Sequence, residues 1–357
     1  MAHDGAREVV LGTKGLQGAL YGNGLKHPRK RAVPKTGLEP VSLSAADFKS
    51  DVYTVPPLGP TPPRCGRAPD WQPGKADCVR LRLALRTKPG FLPRMDRLAQ
   101  TFARCKAEGR PAFVSYVCAG DPDVETSKAV LLSLAQNGAD VLEVGVPFSD
   151  PLADGLTNQL AAQRALEGGM TYDGLLDVLR AVRAGTDKPI VLYCYYNLLF
   201  SFGLDGYCAK VREAGADGLL VLDCPPEEAD ELIAASKKHG LANIFIVAPT
   251  TPPARIGLIA KHASGFIYYV SREGVTGERS ELAANLAASV AEIRKHTALP
   301  ICVGFGVSTA AHVQAIAKVA DGVVVGSALV NVVAAHKDKK GEAAAAIGAK
   351  VRELLAK

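Results

Sequence analysis

Asn137-Gly138-Ala139-Asp140-Val141-Leu142-Glu143-Val144 and Ala214-Gly215-Ala216-Asp217-Gly218-Leu219-Leu220-Val221 are built to one design. Each places Gly where a helix C-terminus needs left-handed backbone and then runs directly into an apolar strand. A helix closed by Gly and followed at once by a strand is part of a βα unit, so the pair predicts a repeated βα architecture. Working outward, apolar strand-like runs occur at residues 112–118, 141–144, 190–193, 218–222, 244–248, 266–270, 301–303 and 322–325. Amphipathic helical stretches, such as 124–137 and 282–295, separate most of them. Runs that are nearly continuous in apolar residues imply burial on both faces, hence a parallel sheet covered by helices. Eight such units favour an α/β fold closed into a (β/α)8 TIM barrel, although periodicity alone also admits an open sheet.

A barrel of this kind takes roughly 250 residues, and the chain has 357. The excess lies at the start. Twelve of the 23 prolines fall in residues 1–93, where hydrophobic periodicity is weak. Such a segment cannot bury enough apolar surface to offset its ordering entropy, and it is expected to be a disordered extension. It holds 15 Lys and Arg against 7 Asp and Glu, so it carries +8 of a net +6 and leaves −2 for the rest. The basic balance therefore gives no argument for a nucleic-acid groove in the folded part. A basic extension with Lys26 and Arg29 to Arg31 clustered suits a transit peptide, which would send the protein to the chloroplast. Asp4 and Glu8 are unusual there, and an inert extension or a gene-model artefact, with a cytoplasmic protein, is the other reading. Order is expected from near Met95, where Leu98, Phe102 and Cys105 form a helical stripe, and residues 94–357 form the catalytic barrel.

The eight cysteines include no CxxC pair, so neither a zinc site nor a redox motif is expected, and buried thiols in a reducing compartment are. The longest apolar stretch, 323–335, is interrupted by Gly326, Ser327 and Asn331 and is too short to span a membrane.

Active sites of βα barrels lie at the C-terminal ends of the strands. The sharpest signal there is the run Leu142-Glu143-Val144-Gly145-Val146-Pro147-Phe148-Ser149-Asp150-Pro151-Leu152-Ala153-Asp154-Gly155. Glu143 interrupts an apolar strand, and a carboxylate is costly to bury unless it is paired or protonated. A raised pKa would make it a general acid or base; a glutamate satisfied by a structural partner is the alternative. Asp154, on a loop stiffened by Pro147 and Pro151, brings a second carboxylate to the same mouth. Glycines follow the last three strands: Gly274-Val275-Thr276-Gly277, Gly304-Phe305-Gly306 and Gly326-Ser327. They let backbone N–H groups approach an anion, and a helix starting near Ser327 would aim its positive end at it, as in the usual barrel phosphate site. Tyr116, Tyr195, Tyr268 and Phe305 reach the same ends and could form a slot for a flat ring. These residues point to a phosphorylated aromatic substrate and acid/base chemistry, without naming the reaction.

Gly120-Asp121-Pro122, the 143–155 run, Tyr195-Tyr196-Asn197, residues 271–277 and Gly304-Phe305-Gly306 together resemble the tryptophan synthase alpha family, from about Met95 to the C-terminus. The resemblance implies a carbon–carbon lyase that splits indole-3-glycerol phosphate into indole and glyceraldehyde 3-phosphate by retro-aldol cleavage. It implies Glu143 as the acid/base at indole C3 and Asp154 as the acceptor of the indole N–H. Tyr116, Tyr195, Tyr268, Phe305 and Thr276 would line the substrate, and Gly277, Gly306, Gly326 and Ser327 the phosphate. No metal is implied, and no cofactor in this chain: pyridoxal phosphate would belong to a beta subunit in an alpha2-beta2 assembly, docking near Pro147 and Asp150. Two positions depart from the family pattern: Leu156 and Ser115 stand where proline is common, and Leu156 puts the hold on Asp154 in question. A stand-alone indole-releasing lyase, a catalytically silent regulatory subunit and another phosphate-binding barrel are the competing readings.

Overall fold

The structure, a computed structural model, describes residues 96–271, 279–304 and 306–356, without the side chains of 279–284. The expectation of a disordered extension over 1–93 lies outside the described residues. In chain order the elements are α1 Arg97–Ala107, β1 Ala112–Cys118, α2 Val124–Gln136, β2 Val141–Gly145, α3 Leu156–Glu167, α4 Tyr172–Gly185 and β3 Ile190–Cys194. There follow α5 Tyr196–Phe202, α6 Leu204–Ala214, β4 Gly218–Val221, α7 Asp230–His239, β5 Ala242–Val247, α8 Pro253–His262 and β6 Ile267–Val270. The chain closes with α9 Arg279–Arg294, β7 Ile301–Gly304, α10 Ala310–Ala317, β8 Gly322–Val325, α11 Ser327–Ala335 and α12 Lys340–Leu355. All eight strands pair in parallel and in sequence order, and β8 returns to β1, so the sheet is the closed (β/α)8 barrel and not an open one.

The two stretches that predicted the repeat do what their sequences require. Gly138 and Gly215 adopt φ of 120° and 119°, outside the range comfortable for residues with a Cβ, and turn each helix into the strand that follows. Asp140 then donates its N–H to Phe113 O at 2.8 Å while its carboxylate accepts the Phe113 N–H at 3.0 Å. Asp217 makes the same two-way contact with Ile190, and Asp321 makes it with Ile301. In the fifth and sixth strands Ser264 performs this task on Asn243 with its hydroxyl. Thus a side chain before each even strand closes the ladder at the start of the preceding odd strand.

These carboxylates are also the anchors of ion pairs on the N-terminal face. Asp140 is buried against Arg104 and Arg110, and Asp217 against Arg97, Arg183 and Arg212, all of its contacts being 2.7–3.0 Å. Asp321, less buried, pairs with Arg294 at 2.8 Å. The Arg110 guanidinium and the Phe113 N–H hold the Asp140 carboxyl below the usual carboxylate range despite its burial. Residues at this end of a barrel bear on stability, because the reacting groups sit at the other.

Val114, Val141, Val191, Leu220, Ile244, Phe266, Cys302 and Val324 fill the barrel interior as one cluster, and Leu98, Phe102 and Cys105 of α1 close it from below. The stripe read from sequence is therefore the plug of the barrel floor. Phe102 meets Phe266 with ring centroids 5.6 Å apart. The helices pack on the outer face of the same strands, which is why the strands are apolar on both sides. The six cysteines among the described residues are all free and buried. No described helix is long and apolar enough to cross a membrane.

Candidate active site

Inward-facing positions alternate along each strand, and at the C-terminal end this alternation turns polar. Tyr116 of β1 and Glu143 of β2 are register partners, and Gly145 of β2 partners Tyr193 of β3. A Cβ at Gly145 would stand 2.5 Å from the Tyr116 hydroxyl, and one at Gly304 would stand 2.7 Å from the Tyr268 hydroxyl. The two strands end in glycine because the phenols occupy that space.

Glu143 is 1% exposed, and its Oε1 has no hydrogen-bond partner. Burial first, and the charge on Asp154 second, raise its pKa to about 8. No ion pair to Glu143 occurs among the described residues, so the structural-partner alternative finds no partner there. A carboxyl with this pKa carries its proton at neutral pH and can give it up. The Tyr268 phenol is pushed up by burial and then by the Glu143 charge, and the Tyr193 phenol by burial and then by Asp154. Both stay neutral, and Tyr193 donates its hydroxyl proton to Asp154.

A carboxyl whose folded-state pKa exceeds its ordinary 4.5 keeps a proton that the unfolded chain has lost. Between about 4.5 and about 8 the folded state then binds the extra proton, and stability falls as pH rises through that window. Glu143→Gln removes this drain. The variant should gain on the unmutated protein by on the order of a few kcal/mol between about pH 5 and about pH 8.5. Urea denaturation at both pH values measures the gap; a pH-independent difference would refute it.

Asp154 lies on the loop between β2 and α3. Its Oδ1 accepts from the Tyr193 hydroxyl at 2.8 Å and from Asn158 Nδ2 at 3.3 Å, and its Oδ2 accepts from the Tyr195 hydroxyl at 2.8 Å. Gln159 Nε2 donates to its backbone oxygen at 2.8 Å. Leu156, at the first position of α3, is 70% exposed and takes no part in this hold. The helix is secured at its far end, where Arg164 makes paired hydrogen bonds of 2.8 and 2.7 Å to buried Asp121 of the Gly120-Asp121-Pro122 turn. Ser115, the other departure, is fully buried and its Oγ donates to Val141 O at 3.4 Å.

The proposed aromatic slot divides. Tyr116 and Tyr268 stand in the barrel beside Glu143, whose charge acts on both phenols. Tyr195 is 4% exposed, stacks on Phe148 at 4.9 Å and gives its hydroxyl to Asp154, so its contribution is to hold a carboxylate rather than to offer a ring face. Phe305, Thr276 and Gly277 lie outside the described residues. Tyr193 was missed by the sequence reading. Its signal was present: Tyr193 and Tyr195 are two residues apart and so project to one side of an extended segment. Phe148, within the quoted run, was likewise not singled out.

Gly304 of β7 is in register with Val324 of β8, which brings Gly306 and the Gly326-Ser327 pair to neighbouring strand ends. Gly306 has φ of 70°, and α11 begins at Ser327 with Gly326 as its N-cap, so free helical N–H groups lie at that rim. No cluster of metal-binding side chains occurs among the described residues. A cavity of about 460 Å³ opens at the opposite end of the barrel, lined among others by Phe102, Arg110, Arg294 and Asp321. Its arginines are committed to the ion pairs of the barrel floor, and the carboxylate pair is not among its walls.

Comparison with known proteins agrees with this arrangement. The family model described as tryptophan synthase alpha chain matches residues 102–357. A tryptophan synthase alpha chain from Opitutus terrae is 54% identical over 262 residues, covering 73% of this chain and 98% of that one. Among solved structures, the alpha subunit of tryptophan synthase from Legionella pneumophila superposes with a TM-score of 0.68 at 37% identity, over 73% of this chain and 97% of that one. An aminoacrylate-bound tryptophan synthase from M. tuberculosis gives 0.64 at 34% identity, over 72% and 98%. These relatives are bacterial and lend the chloroplast destination no support. Likeness that runs from the middle of α1 to the C-terminus, and spans nearly the full length of each relative, means that the chain belongs to the tryptophan synthase alpha chain family.

Proposed function

We propose that the chain cleaves indole-3-glycerol phosphate into indole and glyceraldehyde 3-phosphate, as a carbon–carbon lyase of the family to which it belongs. The observation that carries the chemistry is the carboxylate pair: Glu143 protonated and unpartnered at Oε1, Asp154 held at the mouth by three hydrogen-bond donors. Glu143 donates its proton to indole C3, which turns the ring into an electron sink. The positive charge develops at the ring nitrogen, where the Asp154 carboxylate accepts the N–H and stabilises it. Loss of the side-chain hydroxyl proton, with Glu143 now the base, breaks the carbon–carbon bond and restores the starting protonation state. Tyr116 and Tyr268 flank the ring, and the Gly306 and Gly326-Ser327 rim receives the phosphate; the family resemblance adds Thr276, Gly277 and Phe305 to the residues that contact the substrate.

The chain needs no cofactor for these steps; pyridoxal phosphate belongs to a beta partner that consumes the indole. Support for such a partner comes from the rim of the mouth, where Leu152 is 83%, Leu156 70%, Phe200 65% and Phe202 50% exposed. This refines the expected docking loop, because Pro147 is buried while Asp150 and these apolar neighbours face outward. Release of indole from indole-3-glycerol phosphate by the purified chain, with and without a beta subunit, tests the proposal. No release in either condition would leave only ligand binding, the regulatory-subunit reading.

A further inference from the structure

Resting on the reading of Asp154 as the acceptor of the indole N–H, we propose that Tyr193 is a positioning residue for the reaction, its hydroxyl fixing that carboxylate before substrate arrives. Asn158 and Gln159 belong to α3, the direct continuation of the loop, so their contacts move with it. The turn around Asp154 is closed by local backbone bonds, Leu152 N–H to Asp150 O at 2.9 Å and Asp154 N–H to Pro151 O at 3.1 Å. Those bonds shape the loop but attach it to nothing else. Attachment of the carboxylate to the rest of the barrel is left to two phenols, Tyr193 and Tyr195.

The two differ in rigidity. Tyr195 lies beyond the end of β3, as the N-cap residue of α5. Tyr193 is inside β3, a strand paired on one side with β2 through Gly145 and on the other with β4 through Leu220. Its ring is further pinned edge-on against Tyr116, with centroids 4.9 Å apart and planes at 64°. Tyr116 in turn is the register partner of Glu143. A continuous packed path therefore runs from the strand that bears one carboxylate, through two rings, to the other carboxylate, and it sets their separation.

The same hydroxyl also limits how Asp154 can be used. A carboxylate offers about four lone-pair directions, and Tyr193, Asn158 and Tyr195 take three of them. One direction is left, which suits a single ring N–H and fixes where the ring must lie. The exposed Leu152 and Leu156 beside it show no comparable restraint on the loop surface. The geometry thus assigns to the barrel interior a task that the loop could not perform alone, holding a loop carboxylate at a set place relative to Glu143.

Tyr193→Phe removes the hydroxyl and keeps the ring against Tyr116. Loss of one hydrogen bond to a charged group should lower kcat for indole release about 10-fold, with KM changed by less than about 3-fold. Packing alone would leave kcat unaltered, and that result overturns the proposal. In an Asp154→Asn background the same substitution should add little, because it acts through that carboxylate; a full, additive loss in the double variant also overturns it. A third arm uses no substrate: amide hydrogen exchange across 152–158 should quicken in Tyr193→Phe, and equal exchange counts against the anchor. Failure of the unmutated chain to release indole would defeat the proposed function, whereas the exchange arm still decides whether Tyr193 holds the loop.

Discussion

Glu143→Gln should reduce kcat for indole release by at least about 10²-fold, the range typical of a lost general acid/base, while substrate affinity and folding persist. The substitution keeps the shape of the side chain in a site where only 1% of it is exposed, and removes the one proton that the reaction needs to place on C3. It leaves the register of β2 with β1 and β3 untouched. Because the group titrates near 8, the acid that serves the first step is present below that pH and lost above it. Turnover of the unmutated chain should accordingly decline on the alkaline side of about 8. The stabilising effect of the same substitution at high pH means that lost activity cannot be traced to unfolding. Full activity in a folded Glu143→Gln protein, established by thermal melting and steady-state rates, would remove Glu143 from the mechanism.

At the other end of the barrel the largest effect is on stability. Asp217→Ala should lower the free energy of unfolding by about 3–5 kcal/mol, since it removes the shared counter-ion of a buried ion network. Asp217 is 6% exposed and meets Arg97, Arg183 and Arg212, and it also receives the Ile190 N–H at the start of β3. Three guanidinium groups and a strand amide would thus lose an acceptor together. Asp321→Ala is the control: it pairs with Arg294 near the surface, its side chain 29% exposed, so solvent screens much of the loss. Urea denaturation should rank the two variants in that order, with little effect of either on kcat. A cost for Asp217→Ala no greater than that of Asp321→Ala would show that the network is redundant.

Legibility from sequence followed physical locality. The repeated helix-Gly-strand passages could be read because a left-handed turn and an apolar run are dictated by a few consecutive residues, and Gly138 and Gly215 bear this out. Strand ends were less legible. The fifth strand begins at Ala242, ahead of the apolar run, because Asn243 sits in the ladder with its N–H bonded to Ser264 Oγ, a partner remote in sequence. Paired short helices between β2 and β3 and between β3 and β4 also went unseen, since the breaks at 168–171 and at Gly203 are single local interruptions in long helical patterns.

At the site, Glu143 stood out because a charged residue within an apolar strand is costly, and that cost is visible in the sequence itself. Tyr193 did not, because a tyrosine at the end of a strand is ordinary until its hydroxyl is seen to meet a loop carboxylate 39 positions away. Hydrophobic periodicity and the penalty on buried charge were enough, from the residues alone, for the βα repeat, the two-sided burial of its strands and the candidates Glu143 and Asp154. Contacts made in the folded barrel were needed to show that the sheet closes, that Tyr195 holds a carboxylate instead of facing the ring, and that Asp154 is anchored from within the barrel. Closure and those contacts join residues far apart in the chain, and their free energy comes from burial and hydrogen-bond geometry that exist once β8 has met β1.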